Sequence, residues 1–429
     1  MKINRLFAAT TFAAAATLTL TACLPGGDSG STSTSAPPSV GAEVSGDLTG
    51  VFSSQFKDTY EKIANDFMAK NPNVKVKFNY QGGDISSVVM TQLQAGTAPD
   101  ILTSFPGGDA KDNADNVVPL AAQGRIAPLN VTWADQISEA WASNFSHEGK
   151  LYAYPGAFQP LSAIYNQTKL DEVGLKIPTT LDEVYQFCAD AKAKGVYAYG
   201  QGLGEAAAGP QMLSFAQNAT LIDGPNPDFV KQLAAGETTY PNSPWVDQFT
   251  IYDKMFKEGC FGEGSLGRSR EQGSTAVASG KALGIVDVGG VLAGMQKSAP
   301  DASFVIAPMP ATNDGTTFIT ALPGYVTTIN AEAKNPAAAQ AFLEFMGTPE
   351  ASLTYAEGFA SVPVLPNDLY KPPAELKVFS EMITAGKYAP LPTLQTEVQS
   401  VLNQQLQAMF LGKATPQDVA QKMQDAYKK

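Results

Sequence analysis

Residues 149–165, GKLYAYPGAFQPLSAIY, constrain the fold more than any other stretch, because they read as one extended segment interrupted in its middle. Tyr152, Tyr154, Phe158, Ile164 and Tyr165 favour strands, whereas Pro155, Gly156 and Pro160 break a ladder that tries to run straight through. A broken strand of this kind suits a crossover between two bodies. The 429-residue chain exceeds what one hydrophobic core comfortably organises, so two lobes of roughly 150 to 200 residues are predicted.

The N-terminus reads as a leader rather than as fold. Lys2 and Arg5 supply a positive start, Leu6 to Leu20 is apolar, and Leu20, Thr21, Ala22 and Cys23 follow. The run is too short for a spanning helix, which needs about 20 apolar residues. The tetrad resembles the lipobox of bacterial lipoproteins, which implies a signal peptide over residues 1–22, cleavage before Cys23 and a lipid on its sulfur. An ordinary secretory signal with a chance cysteine is the alternative. Pro25 to Gly46 is rich in Gly, Ser, Thr and Pro without apolar periodicity, so residues 23–46 read as a lipidated cysteine and a flexible tether. The expected location is the extracytoplasmic face of the bacterial cell membrane, lipid-anchored.

The chain beyond the tether alternates strand and helix. Leu48 to Phe52 predicts a strand, and Tyr60 to Lys70 a helix with Ile63, Ala64, Phe67 and Met68 on one face. Val74, Val76 and Phe78 alternate with polar residues as a half-buried strand does, Ile85 to Ala95 predicts a second helix, and Asp100 to Thr103 a third strand. This βαβαβ order implies a parallel sheet whose ligand loops lie at the carboxyl ends of its strands.

Several stretches resemble one family. Gly149, Lys150, Tyr152, Ala153, Pro155, Leu161, Tyr165 and Asn166, followed by Pro178, Thr179, Thr180, Leu181, Asp182 and Glu183, resemble the crossover of the extracellular solute-binding proteins of ABC importers. The relevant branch is the family 1 sugar-binding group that includes maltose-binding protein, although Leu181 stands where that family usually has an aromatic residue. Phe67, Pro72, Val74 and Val76, then Ala95, Gly96, Thr97, Pro99 and Asp100, resemble its N-terminal signature. Residues 275–287, 335–345 and 412–426 resemble its later motifs, so the likeness spans nearly the whole mature chain. It implies a two-lobed α/β periplasmic-binding-protein fold of type II, each lobe a mixed sheet flanked by helices, joined by a multi-strand hinge. The first lobe is then expected at 44–158 plus 312–346 and the second at 159–311 plus 347–429, with crossings near Pro155–Ser162, Pro308–Gly315 and Gly347–Glu357.

Charge and motif content narrow the function classes. Loss of Lys2 and Arg5 leaves 27 basic side chains against 41 acidic ones, about −14, and no basic run appears. Nucleic acid is therefore excluded as a partner, and the membrane is approached through the lipid anchor only. His147 is the sole histidine, so a His-based triad or metal site would have to rest on it, and it reads as a solvated loop residue in the SHEGK turn. Gly262 to Gly267 fits G-x-G-x-x-G but follows a helix predicted at Trp245 to Glu258 rather than a strand, so it reads as a loop. Neither a catalytic residue, a metal nor a cofactor is expected. Cys188 and Cys260 form an even pair in an oxidising compartment, as a disulfide or as two buried thiols. Trp133 and Trp141, eight apart, read as core residues near one helical face, and Trp245 as core.

A sugar site needs flat apolar faces to stack on rings and planar polar side chains to bond hydroxyls. Loops after the first strands offer Ser54 and Gln55, Gln81 and Gly82, and Phe105, Gly107, Gly108 and Asp109. At the crossover, Gln159 falls where the family places a polar ligand residue, with Tyr154 and Phe158 as stacking partners, Tyr154 reading equally as core. Asp287 and Gly289 fall in a loop that in relatives carries a tryptophan, absent here, and Tyr325 could close the cleft from the first lobe. The resemblance implies a monomer that captures a sugar or oligosaccharide by hinge closure and delivers it to permease subunits of an ABC importer. Capture of a polyamine, peptide or polyol is the alternative, and a surface-anchored glycoside hydrolase a more distant one.

Overall fold

The computed structural model describes residues 43–82, 85–108, 115–205, 209–392 and 394–428. Cys23, with the leader and most of the tether, and Asp109 lie outside the described residues. Fifteen strands are described: β1 (Gly46–Ser53), β2 (Val74–Gln81), β3 (Ile101–Ser104), β4 (Ile126–Ala127), β5 (Ser146–His147), β6 (Lys150–Leu151), β7 (Ala153–Tyr154), β8 (Ala157–Asn166), β9 (Tyr197–Tyr199), β10 (Ala282–Val288), β11 (Phe304–Ala307), β12 (Ile319–Pro323), β13 (Val326–Asn330), β14 (Val362–Pro363) and β15 (Tyr388–Pro390). They form two mixed sheets and the small β5–β6 hairpin, and with helices around both sheets they give the two-lobed α/β fold.

The first sheet runs β2-β1-β3-β13-β4, with β7 also on β13. β2, β1 and β3 are mutually parallel, from Gly46 opposite Val74 to Ser53 opposite Gln81, as a βαβαβ unit requires. The helix Lys57–Lys70 buries Tyr60, Ile63, Ala64 and Phe67, one stripe at i, i+3, i+4 and i+7. Asp100, almost wholly buried, ties the sheet to the helix Pro336–Met346. It accepts from the Thr49 amide at 2.8 Å, the Thr49 hydroxyl at 2.6 Å and the Asn335 amide at 2.9 Å. Burial alone would raise its carboxyl, and these donors outweigh that and hold it below the ordinary range.

The second sheet runs β15-β12-β8-β10-β9, and β11 and β14 also pair with β8. β8 is its centre: every one of its pairings is antiparallel. Leu161, Ala163 and Tyr165 enter one core, and Phe158 and Ile164 the other. A strand covered on both faces has no room for polar alternation, and along β8 only Gln159 escapes full burial. Pro160 was expected to interrupt the ladder and does not. It pairs with Ala321 of β12, while the β10 ladder begins one residue later, at Leu161 opposite Val288. The missing N–H therefore falls past the end of β10.

The chain passes between the sheets at three places. Pro155 and Gly156 carry it from β7 to β8, and Gly324 and Tyr325 from β12 back to β13. Phe359 to Ser361 carry it from the helix Pro349–Gly358, which packs on the helix Lys57–Lys70, to β14 beside β8. The second and third passages thus lie C-terminal to the stretches Pro308–Gly315 and Gly347–Glu357. The reason is pairing: β12 still belongs to the second sheet, held by β8 and β15.

Cys188, on the helix Leu181–Ala193, is joined by a disulfide to Cys260, with Cα atoms 4.8 Å apart. Cys260 sits in the turn after the helix Trp245–Lys257 rather than on it. Trp133, Trp141 and Trp245 are all buried. Trp133 and Trp141 do not share a helix, since Trp133 precedes a short 3-10 turn and only Trp141 lies on the helix Glu139–Phe145. The stretch Gly262–Gly267 is a loop that ends in the single 3-10 turn Ser265–Gly267. Among the described residues, no helix is long and apolar enough to cross a membrane.

Candidate functional site

A cleft of about 1110 Å3 opens where the three passages meet. Its first wall comes from the carboxyl ends of parallel strands, the edge at which ligand loops of such sheets emerge. Gln55 and Phe56 follow β1, Phe105 follows β3, and Tyr325 and Phe359 belong to the second and third passages. Four rings run together along this wall. Phe105 and Tyr325 have centroids 5.1 Å apart, Tyr325 and Phe56 5.9 Å, and Phe56 and Phe359 stack at 3.6 Å with planes 15° apart. Phe359 stacks in turn on Tyr355 at 4.2 Å, which anchors the row in the core.

The opposite wall comes from the second sheet: Val288 at the end of β10, the following Gly289 and Gly290, and the start of the helix Arg270–Ala278. Gln159 lies between the walls. A β-carbon on Gly324 would approach its Nε2 at 3.1 Å, and one on Gly290 its Oε1 at 3.8 Å. The two glycines leave the planar amide room to face the cleft. Arg270 points its guanidinium across the wall, and Asp287, buried at the end of β10, accepts from its Nε at 2.8 Å and also from its Nη2. The hydrogen bonds that Arg270 donates to Asp287 raise the guanidinium pKa above its ordinary value, against partial burial that lowers it.

Of the residues anticipated from sequence, Gln55, Phe105, Gln159, Gly289 and Tyr325 line this cleft together. Asp287 stands behind it, reaching it only through Arg270. Ser54 is exposed at the end of β1, and Gln81, half-buried at the end of β2, donates to Asn79 at 2.9 Å; neither lines the cleft. Gly107 and Gly108 lie off the cleft in irregular backbone at positive φ, the first donating its amide to the Asn144 carbonyl at 2.7 Å.

Tyr154 and Phe158 are core residues rather than stacking surfaces. Tyr154 is fully buried and meets Trp133 edge-on at 5.6 Å, and Phe158 packs on Trp141 at 4.7 Å. Phe56, Phe359 and Arg270 escaped sequence reasoning. Phe56 carried a signal, since it adjoins Gln55 at the end of a strand; the other two depend on tertiary neighbours. Among the described residues, no cluster of His, Cys, Asp and Glu could hold a metal ion.

The family described as bacterial extracellular solute-binding protein matches residues 53–352. This chain is a bacterial extracellular solute-binding protein. The family is one of extracytoplasmic binding proteins, not of enzymes. The solute-binding protein is 24% identical over 390 residues to the melibiose/raffinose/stachyose-binding protein MelE of Bacillus subtilis, covering 87% of this chain and 86% of that one. In structure it is similar to the apo form of RafE from Streptococcus pneumoniae, with a TM-score of 0.74 at 19% identity, over 90% of this chain and 98% of that one. Against RafE in complex with raffinose the TM-score is 0.68 at 20% identity, over 89% and 98% of the two chains. These two likenesses are likenesses of fold.

Proposed function

We propose that the cleft captures a sugar or short oligosaccharide outside the cell and that the closed protein delivers it to the permease of an ABC importer. The observation that carries this reading is the row Phe105, Tyr325, Phe56 and Phe359 facing Gln159 and Arg270 across one cleft. Aromatic faces cover the apolar face of a pyranose, and planar amide and guanidinium groups bond its hydroxyls. A cleft of about 1110 Å3 lies just above the usual range for small-ligand sites, which favours two or more sugar rings. The names of MelE and of RafE in complex with raffinose support the same class of solute.

In this reading each sheet is the core of one lobe and the three passages are the hinge. Ligand held on one lobe is completed by the other, and it stabilises the closed state by its differential affinity for that state. Cys23 carries the lipid, and the tether gives the body freedom to approach a permease in the same membrane. The working unit is a monomer, with no catalytic step. Glu205 and Glu271 on the cleft wall favour a second reading, a cationic solute such as a polyamine.

Uptake of labelled oligosaccharides by cells lacking the chain tests the transport step, with labelled palmitate as the probe for the anchor. Loss of uptake of one saccharide, restored by the wild-type chain but not by one lacking Cys23, is the expected result. Unchanged uptake of every saccharide, with loss of polyamine uptake, would replace it by the second reading.

A further inference from the structure

Arg270 is oddly placed for a structural residue. It opens the helix Arg270–Ala278 directly after the N-cap Ser269, and a cation there opposes the positive end of the helix dipole. Asp287 offsets this, but it is itself only 2% exposed while the Arg270 side chain is 38% exposed. Replacing such a pair by apolar side chains often leaves stability unchanged or higher, so stability gives little reason to keep it. Local rules broken at one point are expected where a function is served.

Geometry supplies the function. Asp287 takes the Nε and one Nη2 hydrogen of the guanidinium, and Arg carries five N–H donors in a rigid fork. Three donors remain, both of those on Nη1 among them, on a side chain that lines the cleft. Asp287 also accepts from the Val288 amide at 2.7 Å, so the carboxylate is fixed from two sides and fixes the plane of the guanidinium. The charge of Arg270 is already balanced by Asp287, and the other charged side chains lining the cleft among the described residues are Glu205 and Glu271. Among the described residues, one cation and two carboxylates thus line the cleft, with Asp287 directly behind the cation.

We infer that Arg270 is a specificity-determining donor, positioned by Asp287, that makes the cleft select uncharged polyhydroxyl ligands over ligands bearing carboxylate, phosphate or sulfate. Neutral hydroxyls accept from the spare N–H groups at no electrostatic cost. An anionic substituent must compete with Asp287 for the fork and enter the field of Glu205 and Glu271. The inference rests on the saccharide reading and adds the charge class of the ligand.

Titration calorimetry of the purified protein tests it, with raffinose, maltotriose and cellotriose as neutral probes and trigalacturonate as the acidic one. The wild type is expected to bind at least one neutral trisaccharide at least 100-fold more tightly than trigalacturonate. Arg270→Gln should weaken that neutral trisaccharide at least tenfold, and Arg270→Lys, which keeps the charge but loses the fork, should not restore it. Asp287→Asn frees the cation, so the ratio of neutral to acidic affinity should narrow at least tenfold, a change that mere loosening of the fold would not produce. Glu205→Gln, at an exposed position that leaves folding intact, should narrow the same ratio. Undiminished neutral binding by Arg270→Gln, an unmoved ratio in both carboxylate variants, or a wild type that prefers trigalacturonate would each overturn the inference. Absence of binding to every saccharide would sink the saccharide reading itself, and this inference with it.

Discussion

Tyr355 donates its hydroxyl to the backbone carbonyl of Tyr325 at 2.7 Å, which joins the approach to the third passage between the sheets to the second. The first passage meets them at the same point. A β-carbon on Gly156 would lie 2.9 Å from that Tyr325 oxygen and 3.0 Å from Cε1 of Tyr355, and Gly156 has φ of 68°, in the left-handed region. The Gly324 amide donates to the Ala157 carbonyl at 3.1 Å, and the Val364 amide to the Gly156 carbonyl at 3.2 Å. The three passages are thus one knot of backbone rather than three separate connections.

Gly156→Ala should therefore cost more than the usual penalty for a side chain at positive φ, about 1 to 2 kcal/mol, because it also drives a methyl group against the Tyr325 carbonyl. Tyr355→Phe removes only the hydroxyl and should cost about 1 kcal/mol. Urea unfolding of the two variants checks the order; equal midpoints would contradict the close approach.

Much of the first sheet was legible because Val74, Val76 and Phe78 alternate and Tyr60, Ile63, Ala64 and Phe67 recur at helical spacing, and both patterns are local. The positions of Gln55, Phe105 and Gln159 were legible for a related reason, since loops at strand ends and a hinge strand have a place in the fold before any contact is known. Tyr154 and Tyr325 show where this stops. Both are tyrosines at a passage, Tyr154 ending β7 and Tyr325 just before β13, and only the packing of Trp133 and Tyr355 on Tyr154 makes one core and the other cleft wall. Phe359 could not be assigned because it reaches the cleft through Phe56, from the far end of the chain. The passage at Gly324 was hidden by β12, whose membership of the second sheet depends on pairing with β8 and β15 rather than on its own residues.

The aromatic row separates binding from stability. Phe56 is half-buried, so Phe56→Ala should weaken saccharide binding about tenfold, near 1.4 kcal/mol, with little change in melting temperature. Phe359 is buried between Phe56 and Tyr355, so Phe359→Ala should in addition destabilise by about 3 kcal/mol. Calorimetric titration and thermal melts of both variants test the split; binding unchanged in both would remove the row from the site.

The Cys188–Cys260 bridge closes a long loop, at a sequence separation of 72. On the chain-entropy model its loss costs about 4 kcal/mol. The paired Cys188→Ser and Cys260→Ser variant should show a much lower urea midpoint, with saccharide affinity retained under native conditions because neither cysteine lines the cleft. A midpoint equal to that of the wild type would show that the bridge contributes nothing.

Asp223 ends a π-helical turn with its Oδ2 buried and without a partner, and burial pushes its carboxyl up to about 7. The unfolded chain titrates near 3.9, so between the two values the folded state holds a proton that the unfolded state has lost. Stability is therefore undiminished below about pH 4, falls as pH rises towards 7, and stays lowered above that. Asp223→Asn should gain roughly 1 to 2 kcal/mol at pH 8 and nothing at pH 4. Urea midpoints across this range check the sign; a gain confined to low pH would refute it.

Saccharide capture without chemistry is tested by a thermal-shift screen of the purified protein against mono- and oligosaccharides, polyols, polyamines and peptides, followed by chromatography of the recovered ligand. A ligand at 100 times its dissociation constant adds about 2.7 kcal/mol, which appears as a rise of a few degrees. Such a rise, with an oligosaccharide recovered intact, is the expected result. Stabilisation by polyamines or peptides alone, or recovery of a cleaved glycan, would contradict it.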